Sequence, residues 1–267
     1  MSPTPDDPNA IAESQKPIWN RSAHTYADVF DGQFTQAFAP TLDAAGVGKG
    51  ARVLDVATGP GLLAGAAAER GAIATGIDFA EEMIAAARRL YPQIHFEVAD
   101  ATDLPFEDRS FDAVIVGFGI FLMAEPNKAL NEAWRVLAPG GKLAFTIWDK
   151  DRPGHAVFYG PLQDYIKNPP DFSGPPWLDM NDPIALKAEV EKAGFVHPIV
   201  KKLPIVWEMT SAQRIFDAFS PMCDLSDISS EGLDALKADI TLAAQAYERN
   251  GKLYIPFPAL VVGGEKP

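Results

Sequence analysis

Between residues 51 and 149 short apolar runs alternate with amphipathic stretches, and the connections between them are short. ARVLDVA (51–57) reads as a first strand, and GLLAGAAAERG (61–71) as a helix closed by Gly71. AIATGID (72–78) is a second strand, followed by the helix AEEMIAAARRLY (80–91), which Pro92 stops. IHFEVAD and FDAVIVGFG are the third and fourth strands, NKALNEAWRVL a helix, LAPGG a turn, and KLAFTIWD a fifth strand. Such alternation argues for a mostly parallel sheet with helices on both faces.

The flanks differ. Residues 1–17 read as a loose, proline-rich tail, and 18–45 as one or two helices interrupted near Gly32. Residues 151–182 are rich in Pro, Gly and aromatics and read as a functional loop or lid. IALKAEVEKAG is then a helix, FVHPIVKKLPIVWEM a strand, TSAQRIFDAFSPM and SEGLDALKADITLAAQAYERNG two helices, and KLYIPFPALVVGGEKP a last strand. The expected organisation is a tail with cap helices over 1–45. One domain over 46–267 follows, with cap insertions at about 150–182 and 208–250.

With a net charge of −13 and a pI near 4.7, the chain is repelled by nucleic-acid phosphates and anionic membrane surfaces. Neither is an expected partner. The N-terminus lacks the basic and apolar regions of a signal peptide, and no apolar run is long enough to span a bilayer. One cysteine, Cys223, excludes an intramolecular disulfide and suits a reducing cytoplasm. It reads as a small buried hydrophobe, with a nucleophile as the alternative. No His, Cys or Asp cluster has metal-ligand spacing, so no metal is expected.

The chemistry is concentrated at strand ends. In VLDVATGPG (53–61) an acid and two glycines close the first strand, where an open parallel sheet binds ligands. The glycines admit a ligand against bare backbone, and the next helix offers unpaired N–H groups. Asp78 ends the second strand, where an acid accepts from ribose hydroxyls, and could also cap the following helix. Asp100 ends the third and can accept from an adenine amino group or simply make a turn. Three acids at three strand ends disfavour a phosphate-rich ligand and favour a cationic one carrying a sulfonium and an ammonium. Trp19, Tyr26, Phe118 and Phe121 could cradle a sulfonium or pack in the core.

VLDVATGPG, GIDFAEEM, VADATDLPFEDRSFDAVIVGFG and ALNEAWRVLAPGGKLAF together resemble the class I S-adenosylmethionine-dependent methyltransferases. Over residues 53–149 the chain is most similar to the ubiquinone and menaquinone C-methyltransferase branch. The resemblance implies a three-layer, Rossmann-like α/β fold: seven mostly parallel strands with an antiparallel last strand, plus helical caps. It implies S-adenosyl-L-methionine as cofactor. Asp55, Ala57, Gly59 and Gly61 would floor the methionine side, and Asp78 would hold the ribose. Phe79 and Met83 would flank the adenine, Asp100 and Ala101 would meet its edge, and Gly117 and Phe118 would back the cofactor near the methyl, with Tyr26 a further cofactor-binding candidate. Ala57 stands where the family often has glycine. After Asp149 the resemblance stops, so the methyl acceptor and the choice among O-, N- and C-methylation stay open.

A base for the acceptor proton would be His155 or His24, whereas His95 and His197 read as structural. The acceptor pocket would draw on Trp19, Phe30, Phe158, Tyr159, Trp177, Phe216, Phe219 and Met222, which suits a small, largely hydrophobic molecule. The protein is then expected to be a cytoplasmic monomer or homodimer. Two rivals stand. GPGLLA (59–64) also fits the glycine pattern of a nicotinamide-dependent oxidoreductase, although Asp55 would repel a pyrophosphate. A protein that binds S-adenosylmethionine for regulation, without transferring methyl, is the second.

Overall fold

The computed structural model describes residues 8–30, 32–166 and 182–267. Three helices, α1 (Pro8–Ser22), α2 (Tyr26–Val29) and α3 (Thr35–Ala44), precede the sheet. The alternating region follows as β1 (Arg52–Val56), α4 (Leu62–Glu69), β2 (Ile73–Asp78), α5 (Glu81–Leu90), β3 (His95–Val98), β4 (Phe111–Val116), α6 (Pro126–Val136) and β5 (Leu137–Trp148). Next come α7 (Pro153–Leu162), α8 (Pro183–Lys192), β6 (Val196–Leu203), β7 (Val206–Met209), α9 (Gln213–Phe219) and α10 (Ser230–Ala244). The chain closes with β8 (Glu248–Arg249), β9 (Lys252–Pro256) and β10 (Ala259–Glu265).

The main sheet has seven strands in the order β3-β2-β1-β4-β5-β10-β6. The neighbours from β3 to β5 pair in parallel, and β10 runs antiparallel between β5 and β6. This is the Rossmann-like fold that the motifs imply. Successive residues of the central strands are buried on opposite faces, so the strands read as unbroken apolar runs. Val53, Ala113, Ile115 and Ala144 pack with α3, α4 and α5 on one face. Leu54, Val114, Leu143 and Phe145 pack on the other, where α6 and α8 bring Leu130, Ala133, Leu186 and Val190.

Four local expectations are corrected. Residues 8–17 belong to α1 and are no loose tail: α1 packs against α5, Gln15 donates to the Leu122 carbonyl at 3.0 Å, and Lys16 pairs with Glu81 at 2.6 Å. Tertiary contacts here override the composition. Within the expected lid, residues 153–162 are helix α7, with Pro153 at its first turn and Val157, Phe158 and Leu162 buried. Trp177 lies outside the described residues. LAPGG does not make a separate turn; it is absorbed into β5, with a register shift opposite Phe111 and Ala113. The two long C-terminal strands are each divided, at Pro204 and at Phe257–Pro258, because proline removes a ladder donor. The pieces β7, β9 and β8 form a separate three-stranded sheet.

Lys266 ties the last strand back to the core. Its ammonium donates to the carbonyls of Trp134 and Leu137, both at 2.7 Å, where α6 ends and its dipole favours a cation.

Candidate functional site

Chain order reverses between β1 and β4, and a cavity of about 390 Å³ opens beyond their carboxyl ends. Its floor is the turn from β1 into α4. Ala57 and Gly59 take left-handed backbone, with φ of 55° and 54°. A Cβ at Gly119 would stand 2.7 Å from the Ala57 Cβ, so the two walls already meet at van der Waals distance.

Asp55 is buried beneath this turn. Its Oδ2 accepts from Thr58 Oγ1 at 2.6 Å and from the Ala64 N–H at 3.0 Å, one turn into α4. Its Oδ1 has no partner among the described residues. Burial pushes the carboxyl up to about 7; the two hydrogen bonds pull the other way, and Asp78 adds to the rise.

Asp78, also buried, accepts from the Gly59 N–H at 2.9 Å and the Ala80 N–H at 3.0 Å. It thereby fastens the glycine turn to the start of α5. Burial raises it to about 6 against those bonds. Beside it, Tyr26 has its phenol pushed above the ordinary range by burial and by the Asp78 charge. Asp100 is exposed at the rim, where one carboxylate oxygen accepts from the Thr102 N–H at 2.8 Å and hydroxyl at 2.9 Å. It makes the turn and still lines the cavity.

Eleven of the twelve residues expected to bind cofactor line this one cavity: Tyr26, Asp55, Ala57, Gly59, Asp78, Phe79, Met83, Asp100, Ala101, Gly117 and Phe118. Gly61 stands apart. It begins α4 and presses on Phe96 and Ala87. Phe118 is held with φ 56° by its N–H donating to the buried Thr146 hydroxyl at 2.9 Å, and its ring stacks on Trp148 at 4.2 Å.

Behind this wall lies a smaller chamber of about 70 Å³, sharing Trp19, Tyr26, Phe34, Phe118 and Leu122 with the first. Of the expected acceptor residues, Phe30, Tyr159, Phe219 and Met222 also line it, and Phe158 and Phe216 do not. His155 lines the chamber and stacks on Tyr159 at 4.2 Å. His24 is exposed and lines neither space. Cys223 is buried, and burial pushes its thiol up to about 12, which suits a packed hydrophobe better than a nucleophile. Gln33, Arg152 and Trp148 are among the lining residues that escape sequence reading. Nothing in the local sequence marks Gln33, a lone amide between two phenylalanine-bearing turns.

Residues 54–145 match the methyltransferase domain family. The demethylmenaquinone methyltransferase of Renibacterium salmoninarum is 47% identical over 102 residues, 38% of this chain and 43% of that protein. The chain thus spans less than half the length of that relative. Among solved structures, the YcgJ protein of Bacillus subtilis superposes with a TM-score of 0.59 at 16% identity, covering 87% of this chain and 98% of that one. The Haemonchus contortus phosphoethanolamine N-methyltransferase 2, in complex with phosphomonomethylethanolamine and S-adenosylhomocysteine, gives 0.59 at 20% identity, covering 93% and 57%. These two share the fold. Over residues 54–145 the chain therefore resembles the methyltransferase domain family, and its similarity to the demethylmenaquinone methyltransferases falls within that same part of the chain.

Proposed function

We propose that the protein is an enzyme that binds S-adenosyl-L-methionine in the larger cavity and transfers its methyl group to a small, largely hydrophobic acceptor held in the chamber behind. The observation that carries this reading is the pair of buried carboxylates, Asp55 and Asp78, at the ends of adjacent strands. Both face one cavity, and Asp55 keeps an unpartnered oxygen. A buried carboxylate oxygen without a partner is costly, and a ligand cation would satisfy it.

The residues fit that cofactor. Asp55 would meet its ammonium end, Asp78 its ribose, and Phe79 and Met83 its base. The cofactor supplies an activated methyl on a sulfonium. The chain's own contribution is positioning and exclusion of water: aromatic walls from Trp19, Tyr26, Phe34 and Phe118 are common to the two spaces and face a cation with π-electrons. His155, on the chamber wall, is the residue placed to take a proton from the acceptor; His24 is too far out to serve. Among the described residues, α1 to α3, α7, α9 and α10 act as the cap over the acceptor. Among the described residues no helix is long and apolar enough to cross a membrane.

Calorimetric titration with S-adenosylmethionine, S-adenosylhomocysteine and NADH tests the reading. Binding of the two sulfur nucleosides without NADH supports it. NADH binding alone overturns it in favour of an oxidoreductase. The Asp78→Ala variant is expected to bind S-adenosylhomocysteine at least tenfold more weakly, about 1.4 kcal/mol. It loses a ribose acceptor and frees the Gly59 turn together. Unchanged affinity in the folded variant would remove Asp78 from the site.

A further inference from the structure

Gln33 lies in the turn joining α2 to α3 and is completely buried, with 0% exposure. It lines the smaller chamber, yet neither its amide oxygen nor its amide nitrogen has a hydrogen-bond partner among the described residues. The turn does not need that side chain. The Gln33 backbone N–H already donates to the Phe30 carbonyl at 3.1 Å, and α3 begins without a side-chain cap. A buried primary amide with both ends unmet destabilises a fold, and native proteins rarely keep one without a use for it. The surrounding walls are flat rings: Phe34 lies 5.1 Å from Phe118, and Phe118 stacks on Trp148.

We propose that Gln33 reads the methyl acceptor, and that the acceptor is a planar ring whose edge sets a hydrogen-bond donor beside an acceptor, as a cyclic lactam does. The proposal rests on the cofactor reading of the larger cavity, because the chamber adjoins it and shares Trp19, Tyr26, Phe34 and Phe118 with it. The carboxamide presents one N–H and one carbonyl side by side, the complement of a lactam edge. The aromatic walls accept the ring faces, and the paired hydrogen bonds fix which edge points inward. A site built to pair with a polar edge strongly rejects an analogue that lacks it, because its own buried groups are then left unmet.

The test begins with S-adenosylhomocysteine alone, so that failure of the cofactor reading shows separately as absent binding. The protein, with and without that nucleoside, is then titrated with 4-hydroxy-2-quinolone and with its N-methyl derivative, which keeps the shape and loses the donor. The wild-type protein is expected to bind the N-methyl compound at least tenfold more weakly. Gln33→Met is expected to bind both compounds within twofold of each other. Its ligand-free Tm should rise by about 3 °C, since an unmet amide is replaced by an apolar chain of similar length. Equal binding of the two compounds to the wild type, no binding of either, or retained discrimination in Gln33→Met would each overturn the proposal. If Gln33→Met does not fold, Gln33→Leu takes its place, and the wild-type comparison of the two ligands stands on its own.

Discussion

Affinity for S-adenosylmethionine is expected to rise by roughly 500-fold between pH 5 and pH 7 and to level off above about pH 8. The cause lies in Asp55 and Asp78, whose carboxyls burial raises to about 7 and about 6. At pH 5 both hold protons, and the site is neutral where a cation must sit. Each must lose its proton for the ionised pair to face the ligand, so binding releases protons and strengthens with pH. The sign for folding of the ligand-free chain is the opposite. Below about pH 4 the carboxyls are protonated whether the chain is folded or not. Between about pH 4 and 7 the folded chain keeps protons that an unfolded chain has released, so stability falls as pH rises. For Asp55, raised from 3.8 to about 7, the loss is on the order of 4 kcal/mol, complete above pH 7. The cation then offsets the penalty. Titration calorimetry at pH 5, 6 and 7, beside urea melts of the ligand-free protein at the same values, measures both slopes. A flat affinity profile would remove the buried carboxylates from cation recognition.

Gly61→Ala is expected to destabilise the fold by about 3 kcal/mol or more and to lower Tm by roughly 10 °C. Two independent effects add. The backbone at Gly61 has φ +84°, where a side chain costs about 1–2 kcal/mol. The new Cβ would also stand 2.7 Å from Phe96 Cζ and 3.2 Å from the Ala87 Cβ. Phe96 is itself fully buried, so its ring cannot swing into solvent. Forcing a methyl into such packing typically costs about 1–3 kcal/mol. Combining Gly61→Ala with Phe96→Leu separates the terms: the smaller side chain relieves the clash and leaves the backbone cost. The consequence reaches the site, because α4 starts at Leu62 and its Ala64 N–H orients Asp55. A loss below about 1 kcal/mol would show that the loop moves freely, and the rigid cradle would be the wrong picture.

The sheet was legible because its information is local. VLDVA, AIATGID and FDAVIVG are apolar runs ended by glycine or acid, and the helices between them have clear periodicity and stops. The cavity was legible for the same reason: its acids sit at strand ends, and strand ends of an open sheet converge. What escaped is non-local. The α1 helix runs through Pro17 because α5 and residues 220–222 receive it, which no window around residue 17 can report. Gln33 and Arg152 are far apart in sequence and come to line one chamber only when the chain folds. Gly61 follows a glycine pattern that also serves helix packing, so the motif could not say which glycine touches a ligand. His24 looked suitable as a histidine in the N-terminal helices, and neither type nor helix carries information on exposure.

The antiparallel strand β10 has a consequence for the order of assembly. It lies between β5 and β6, so β6 has no neighbour in the main sheet until residues 259–265 have been synthesised and inserted. A ribosome can release a paired β3-β2-β1-β4-β5 block early, with β6 and the small sheet waiting. Pairing Ala259 with Trp148 closes a loop of more than a hundred residues, the kind of long-range contact that slows folding. The half of the molecule that holds the larger cavity is therefore built from contacts that form early, and the other half is completed when β10 arrives.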